Sequence, residues 1–496
     1  MKVLEKLEKS KSFWFLLISA VFFFILRFPS LFEPDWYGDE GVYQALSLGI
    51  RNGRLLYQDI WDNKPPLLYL VYGFFGADQF WVRFASLVFG LSAIVVFFYL
   101  SKKLFKNFKA SIISTSVFSL FFGLPILEGN IANAENFMIL PILLSALLLV
   151  NLNESVDKKL EGKNLKIIFL AGLFLGIAFL FKIVAIFDFA AFLLFLFFID
   201  KNLIIHLKRK NYQAYEVKKL FSYVLGFLIL PFLTALFFLL KGAIVPFVNA
   251  TFLSNIGYVG YGNNFIIPQG LLILKIIFLC LISYAVFSKR RILGTGGTLA
   301  LLWFSFSLFN AFFSQRPYTH YLLVILPSFA ILVGLIFENR KMQKTYITLL
   351  LAALFLIETN FSFYLKVLPY YSNFISFITN NKNVLEYQRF FDKITPIDYE
   401  LASFIKVNTN SSDYIFTWGN NAQLYKLSNK FPPGKYTVAY HITSVKTGLK
   451  ETAKDLNLRK PKFIIIMPYM KYFPFQLTGY SQRVIIDQAV IYERVL

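Results

Sequence analysis

Long apolar stretches separated by short polar loops fill most of the chain, and the pattern then changes. Runs of spanning or near-spanning length fall at 13–32, 81–100, 109–127, 136–150, 166–181, 183–199, 221–240, 269–287, 297–313, 320–337 and 345–365. This spacing predicts about eleven transmembrane helices, with 166–199 open to a second reading as one tilted hairpin. From 387 onward the apolar residues come in short runs, DYIFTW, KFIIIM and RVIIDQAVIY, divided by Asn, Pro and Gly turns, and a helix is expected near 396–407. That is the pattern of a small α/β domain. The division is therefore 1–365 as an all-α polytopic membrane domain, 366–386 as a linker and 387–496 as the α/β domain.

Positive charge orients the spans. Lys102, Lys103, Lys106 and Lys109 share one short loop, Lys208, Arg209, Lys210, Lys218 and Lys219 another, Lys289, Arg290 and Arg291 a third, and Arg340, Lys341 and Lys344 a fourth. The loop 242–268 between two such clusters carries no charged residue. The positive-inside rule puts the N-terminus in the cytoplasm, and an odd number of spans makes the C-terminal domain extracytoplasmic.

Composition sharpens the class. With 57% hydrophobic residues and 60 Phe among 496 residues, the chain is too apolar for a soluble domain and belongs in the cell membrane. Its net charge of +22 lies in loop clusters rather than along one face, which excludes nucleic acid as a partner. The single Cys280 lies in an apolar run, so neither a disulfide framework nor a cysteine metal site is expected.

Against this background, the loop 33–80 carries many charges: Glu33, Asp35, Asp39, Glu40, Asp59 and Asp62 against Arg51, Arg54 and Lys64. GVYQALSLGIRNG has helical spacing at Val42, Leu46 and Ile50, which predicts an amphipathic helix on the outer surface with Asp39 and Glu40 at its start. Carboxylates there complement the helix dipole, or one of them is a general base. Lys64 precedes Pro65-Pro66, a good opening for a helix, and serves either as a snorkelling cation or as a phosphate ligand. Arg83, Glu135 and Lys182 are charges at or inside apolar segments, where they pair for stability or serve function. QRPYTHYLLVILP brings Arg316, His320 and Tyr321 to the outer end of a late helix. With His206 in a cytoplasmic loop and His441 in the external domain, His320 is the one histidine expected at the membrane site. Asp39, Glu135 and His320 are acceptable ligands for a divalent metal ion, although no close-spaced ligand motif supports one.

A first outer loop reading D-E-x-x-Y, a K-P-P step downstream and H-Y-x-x-x-x-x-P on a late helix resemble the polyprenyl-phosphate-dependent membrane glycosyltransferases of the GT-C fold. Within them the chain looks most like the branch of protein O-mannosyltransferases and lipid A aminoarabinose transferases. The resemblance spans about 13–340 and reaches the external domain through WGNNAQLYKLSNKFPP. It implies Asp39 as the base with Glu40 beside it, assisted by Glu135. It further implies Lys64, Arg83, Lys182 and Arg316 toward the phosphate of a polyprenyl-phosphate-linked sugar donor, and Tyr43, His320 and Tyr321 toward donor or acceptor. The aminoarabinose transferases carry an acidic residue just before the Lys-Pro, where this chain has Asn63. The implied reaction is inverting transfer of a sugar to an extracytoplasmic glycolipid, cell-wall glycan or protein. The competing class, a lipid or sugar transporter or flippase, predicts charges near mid-helix and broken helices in paired repeats.

Overall fold

The computed structural model of the chain describes residues 2–152, 158–198, 210–256, 271–314 and 316–495. The loop residues His206, Lys208 and Arg209 and the later half of 242–268 lie outside them. The described chain is mostly helical and divides into two compact units: Met1–Phe28, Ala85–Leu236 and Ile256–Val367 form one, and Pro29–Phe84, Phe237–Asn255 and Leu368–Leu496 the other.

Apolar helices build the first unit. Among the described residues, five segments are long and apolar enough to cross a bilayer: Ser10–Phe32, Gln79–Leu104, Glu161–Phe181, Tyr215–Leu240 and Leu272–Ala311. Shorter apolar helices include Phe108–Gly123, Ala134–Val150, Ile183–Phe198 and Leu326–Glu338. The stretch 166–199, expected as two spans with a tilted hairpin as the alternative, is two helices, α1 (Lys158–Phe181) and α2 (Ile186–Phe198), turned at a short 3-10 segment, Ile183–Ala185. The two spans expected at 269–287 and 297–313 join end to end as Leu272–Ala311, broken at Gly294, whose φ of 65° and ψ of −176° are open essentially to glycine alone. This break directly follows Lys289, Arg290 and Arg291, where the charge pattern calls for a loop. The segment expected at 345–365 is helix Gln343–Asn360, with Lys344 and Glu358 in its end turns.

Small residues set the packing here. A Cβ on Gly172 would meet Tyr223 O at 2.1 Å, one on Gly176 would meet Phe227 O at 2.6 Å, and one on Gly226 would meet Phe169 O at 2.1 Å. Helix α1 and α3 (Lys210–Leu240) therefore touch backbone to backbone, through a small-xxx-small pair on one helix and a glycine on the other. Phe189 closes the contact, stacked on Tyr223 with centroids 5.0 Å apart.

Loop 33–80 and the C-terminal residues together build the second unit. Helix α4 (Gly38–Arg51) and helix α5 (Leu67–Phe74) lie in the loop. The C-terminal part has a four-stranded sheet in the order β1-β2-β4-β3, with β1 (Ile415–Trp418) parallel to β2 (Phe463–Ile466) and the β3 (Tyr480–Ile486)–β4 (Ala489–Arg494) hairpin antiparallel. RVIIDQAVIY, a single apolar run in sequence, is split by Asp487 and Gln488, both at positive φ (42° and 70°), as a tight hairpin turn requires. The expected helix near 396–407 is α6 (Thr395–Asn408), and the stretch 366–386 contains a further helix, Val367–Ile378.

This sheet domain and the loop are one body. Gly41 of α4 lies against Gln423, whose amide N a Cβ would meet at 2.7 Å. Asp35 accepts from Gln44 Nε2 at 2.5 Å, and its backbone N–H donates to Tyr399 Oη at 3.0 Å. Lys426 lies 3.8 Å from the same carboxylate. Asp398, fully buried, accepts from Asn421 Nδ2 and Gln423 Nε2, so the segment WGNNAQLYKLSNKFPP forms the seam.

Candidate active site

The acidic pair at the start of α4 separates. The N-cap is Tyr37, with no side-chain capping bond, and Asp39 and Glu40 both fall in the first turn, where the exposed amide ends favour negative charge. Consecutive helical residues point about 100° apart, so one carboxylate turns outward while the other turns inward. Glu40 is 1% exposed, whereas the Asp39 side chain is 47% exposed.

The inward carboxylate meets a buried arginine. Arg83 Nε donates to Glu40 Oε1 at 3.1 Å, and its Nη1 lies 2.8 Å from Glu33 Oε2 and donates to Ser30 O at 2.8 Å. Tyr370 donates to Glu33 Oε1 at 2.7 Å and Trp36 Nε1 to Oε2 at 2.7 Å. One guanidinium between two carboxylates, each further hydrogen-bonded, is the arrangement that makes buried charge tolerable. It occupies Arg83 and Glu40 with each other, so neither is turned toward Asp39 and Lys64.

The outward carboxylate faces Lys64. Its Nζ lies 3.7 Å from Asp39 Oδ2 and 3.7 Å from Asp62 Oδ2, over the Tyr43 ring at 4.9 Å. Tyr43 donates to Asp39 Oδ2 at 3.1 Å, one helical turn along α4. Pro66 is the N-cap of α5, so Lys64 stands just before that helix as expected from the Pro-Pro step. Tyr57 Oη donates to Lys64 O at 2.7 Å, and the Asn63 and Asn255 side chains bond at 3.3 Å, which fixes the loop on both sides. Asp62, 1% exposed, accepts from Tyr69 Oη at 2.7 Å and from the Asn63 amide at 2.7 Å.

His441 approaches the same carboxylate, Nε2 to Asp62 Oδ1 at 3.6 Å, with its ring edge-on to Trp61 at 5.0 Å. The sequence reading set His441 aside as part of a separate domain. The fold of the second unit corrects this, because short helix Ala439–Ser444 packs with the loop. Burial pushes the imidazole below its usual pKa, with Asp62 opposing.

The remaining sequence-derived residues lie in the first unit. Glu135, in the first turn of helix Ala134–Val150, forms a close ion pair with Lys182, whose ammonium lies over the Tyr321 ring at 4.4 Å. His320 and Tyr321 rings meet edge to face at 4.7 Å. His320 Nδ1 is 3.0 Å from Glu128 Oε2, and Thr319 Oγ1 donates to Glu128 Oε1 at 2.6 Å. Glu128, which the sequence reading passed over, sits at φ 56° just after a 3-10 turn, outside any helical periodicity. Arg316 adds a backbone N–H to Ser314 Oγ at 3.5 Å. Of the metal candidates, Asp39 belongs to the second unit and Glu135 and His320 to the first. No cluster of three or more His, Cys, Asp or Glu side chains suited to a metal exists among the described residues.

This fold is similar to that of solved proteins. The chain aligns over 97% of its length with 98% of ArnT from Cupriavidus metallidurans, solved bound to undecaprenyl phosphate, at a TM-score of 0.55 and 14% identity. It aligns over 92% of its length with 69% of the archaeal oligosaccharyltransferase AglB from Archaeoglobus fulgidus, solved with an inhibitory peptide and a dolichol-phosphate, at a TM-score of 0.50 and 13% identity. Residues 47–243 match the family model of dolichyl-phosphate-mannose-protein mannosyltransferases. The chain is thus a membrane glycosyltransferase with the GT-C fold. No curated protein shows significant similarity to it.

Proposed function

We propose that the chain transfers one sugar from a polyprenyl-phosphate donor to an acceptor outside the membrane, with inversion at the anomeric carbon. The observation that carries this reading is the Asp39–Lys64 pair, a solvent-reachable carboxylate and a largely buried ammonium 3.7 Å apart. Asp39 takes the proton from an acceptor hydroxyl as its oxygen bonds to the anomeric carbon. The bond from that carbon to the donor phosphate breaks, and Lys64 meets the charge that develops on the leaving polyprenyl phosphate. Tyr43 orients Asp39 through its hydroxyl and Lys64 through its ring. Glu40 and Arg83 hold α4 in place from beneath.

The two similar structures, solved with undecaprenyl phosphate and with a dolichol-phosphate, support this donor class. Glu135, Lys182, Arg316, His320 and Tyr321 keep the assisting and ligand-binding roles that the resemblance implies. About eleven spans, a cytoplasmic N-terminus and an external C-terminal domain following a junction at 366–386 complete the proposal.

The test is Asp39→Asn in the purified full chain, supplied with a radiolabelled polyprenyl-phosphate sugar and an extract of acceptors. Loss of a positioned base costs about 10²- to 10⁴-fold in kcat with the melting temperature unchanged. Full transfer by this variant removes Asp39 as the base.

A further inference from the structure

Helix Val367–Ile378 is inside out for a helix that meets water. Its polar Asn373 is turned inward, 1% exposed, where Nδ2 donates to Tyr387 O at 3.4 Å and Oδ1 accepts from Lys382 Nζ at 2.8 Å. Leu368, Ile375 and Ile378 are turned outward and are 81%, 56% and 57% exposed. At about 100° per residue these three fall within about a quarter turn of one another, opposite Tyr370, Asn373 and Phe374. Leu365, also exposed, continues the stripe just before the helix. Large apolar side chains in a row on an outward face mark a surface that is covered by something other than water.

The inward face shows what that cover is. The Phe374 ring lies 5.8 Å from the Phe32 ring, and Phe32 lies 6.0 Å from Phe80. Phe32 ends the spanning segment Ser10–Phe32, and Phe80 lies in the first turn of Gln79–Leu104 beside Trp81. The helix is therefore held at the level where two spans leave the hydrocarbon, the level that aromatic side chains favour. Its twelve residues rise about 18 Å, too little to cross a core of about 30 Å.

We infer that Val367–Ile378 lies flat in the bilayer interface, with Leu368, Ile375 and Ile378 among the lipid acyl chains. Lys366, exposed just before the first turn, stands at headgroup level, where anionic lipid favours a cation. Lipid rather than a second copy of the chain is the occupant, because Phe32 and Phe80 at this level are themselves residues of spans. The opposite face carries Tyr370, whose hydroxyl donates to Glu33. A segment expected as a linker thus ties the bilayer surface to the Arg83 cluster beneath α4.

Nitroxide labels read the depth directly. In a Cys280→Ser background, which removes the one native thiol, Leu368→Cys, Ile375→Cys and Ile378→Cys are labelled one at a time. The full chain is placed in nanodiscs of phosphatidylethanolamine and phosphatidylglycerol. Phe232→Cys, in the span Tyr215–Leu240, is the lipid reference, and Ser411→Cys, exposed before β1, is the water reference. At all three helix positions collisions with oxygen should exceed those with a water-soluble nickel chelate, as at Phe232, at a depth of about 5–10 Å. Leu368→Asp combined with Ile375→Asp should lower the unfolding midpoint in the same nanodiscs.

An excess of nickel collisions at any of the three positions, as at Ser411, overturns the proposal. Protection from both agents, which marks a protein cover, overturns it too, as does dipolar broadening between labels, which marks a second copy. An unchanged or raised midpoint in the double Asp variant likewise removes the bilayer as the occupant, and this arm decides if a labelled variant does not fold.

Discussion

Arg83 and Glu40 form a buried ion pair, Nε to Oε1 at 3.1 Å, on a guanidinium that also holds Glu33. Removing one partner of such a pair leaves a charge without compensation, which costs about 3–5 kcal/mol. Arg83→Met should therefore lower the thermal midpoint and yield of the protein sharply. Glu40→Gln should do so less, because Glu33 still pairs with Arg83. Asp39→Asn, one position away and exposed, should leave both unchanged. A melting series in detergent checks the order; equal stability of Arg83→Met and wild type would show the cluster to be dispensable for folding.

Asp398 gives the C-terminal part of the second unit a pH dependence of definite sign. Burial pushes its carboxyl from 3.8 up to about 7, against the donated Asn421 and Gln423 amides. An acid whose folded-state pKa lies above its unfolded value takes up a proton on folding. Its contribution is complete below 3.8 and is lost as pH rises through about 7. Stability should fall over that window by at most about 1.4 kcal/mol per pH unit. The difference in unfolding midpoint between wild type and Asp398→Asn, followed across the window, measures it. A difference that does not change with pH would contradict the shift.

The close approach of α1 and α3 makes Gly172 sensitive to a single methyl. A Cβ there would lie 2.1 Å from Tyr223 O, backbone that cannot move without parting the helices. Gly172→Ala should destabilise the first unit by about 1–3 kcal/mol, read as a lower unfolding midpoint. Gly162→Ala, where nothing lies within 4 Å, should be neutral or stabilising in the same helix.

Lys182 and Glu135 should behave as a unit. Lys182→Met leaves a carboxylate that is 3% exposed without its ammonium and should cost about 3–5 kcal/mol. Adding Glu135→Gln should recover much of that loss. Additive losses in the double variant, measured by the same unfolding assay, would show that the two do not depend on each other.

The sequence revealed the class readily and the wiring only in part. Apolar length reveals the apolar helices because it follows from the bilayer's demand on local composition. The K-P-P step places Lys64 because proline acts on its immediate neighbours. Sequence alone leaves Glu40 beside the base and Arg83 open between donor phosphate and a stabilising ion pair, because a charge looks the same in sequence whether it binds a ligand or a partner. Only the helical turn that sends Glu40 inward distinguishes the two. Glu128 was missed because its left-handed turn has no periodicity. His441 was missed because proximity between a first loop and a distant domain leaves no trace in local pattern. The segment WGNNAQLYKLSNKFPP was a weak hint of that proximity, and it proves to carry Asn421 and Gln423 at the seam with α4.

The seam also imposes an order on how the enzyme comes into being. Asp35 and Tyr399, bonded in the finished protein, are 364 residues apart, and His441 follows later still. Loop 33–80 leaves the ribosome early, with Asp62 and α4 lacking the groups that later cover them. Every span after it must be inserted before those groups arrive. The contacts of Asp35 with Tyr399 and of Asp62 with His441 therefore form only when almost the whole polypeptide is complete.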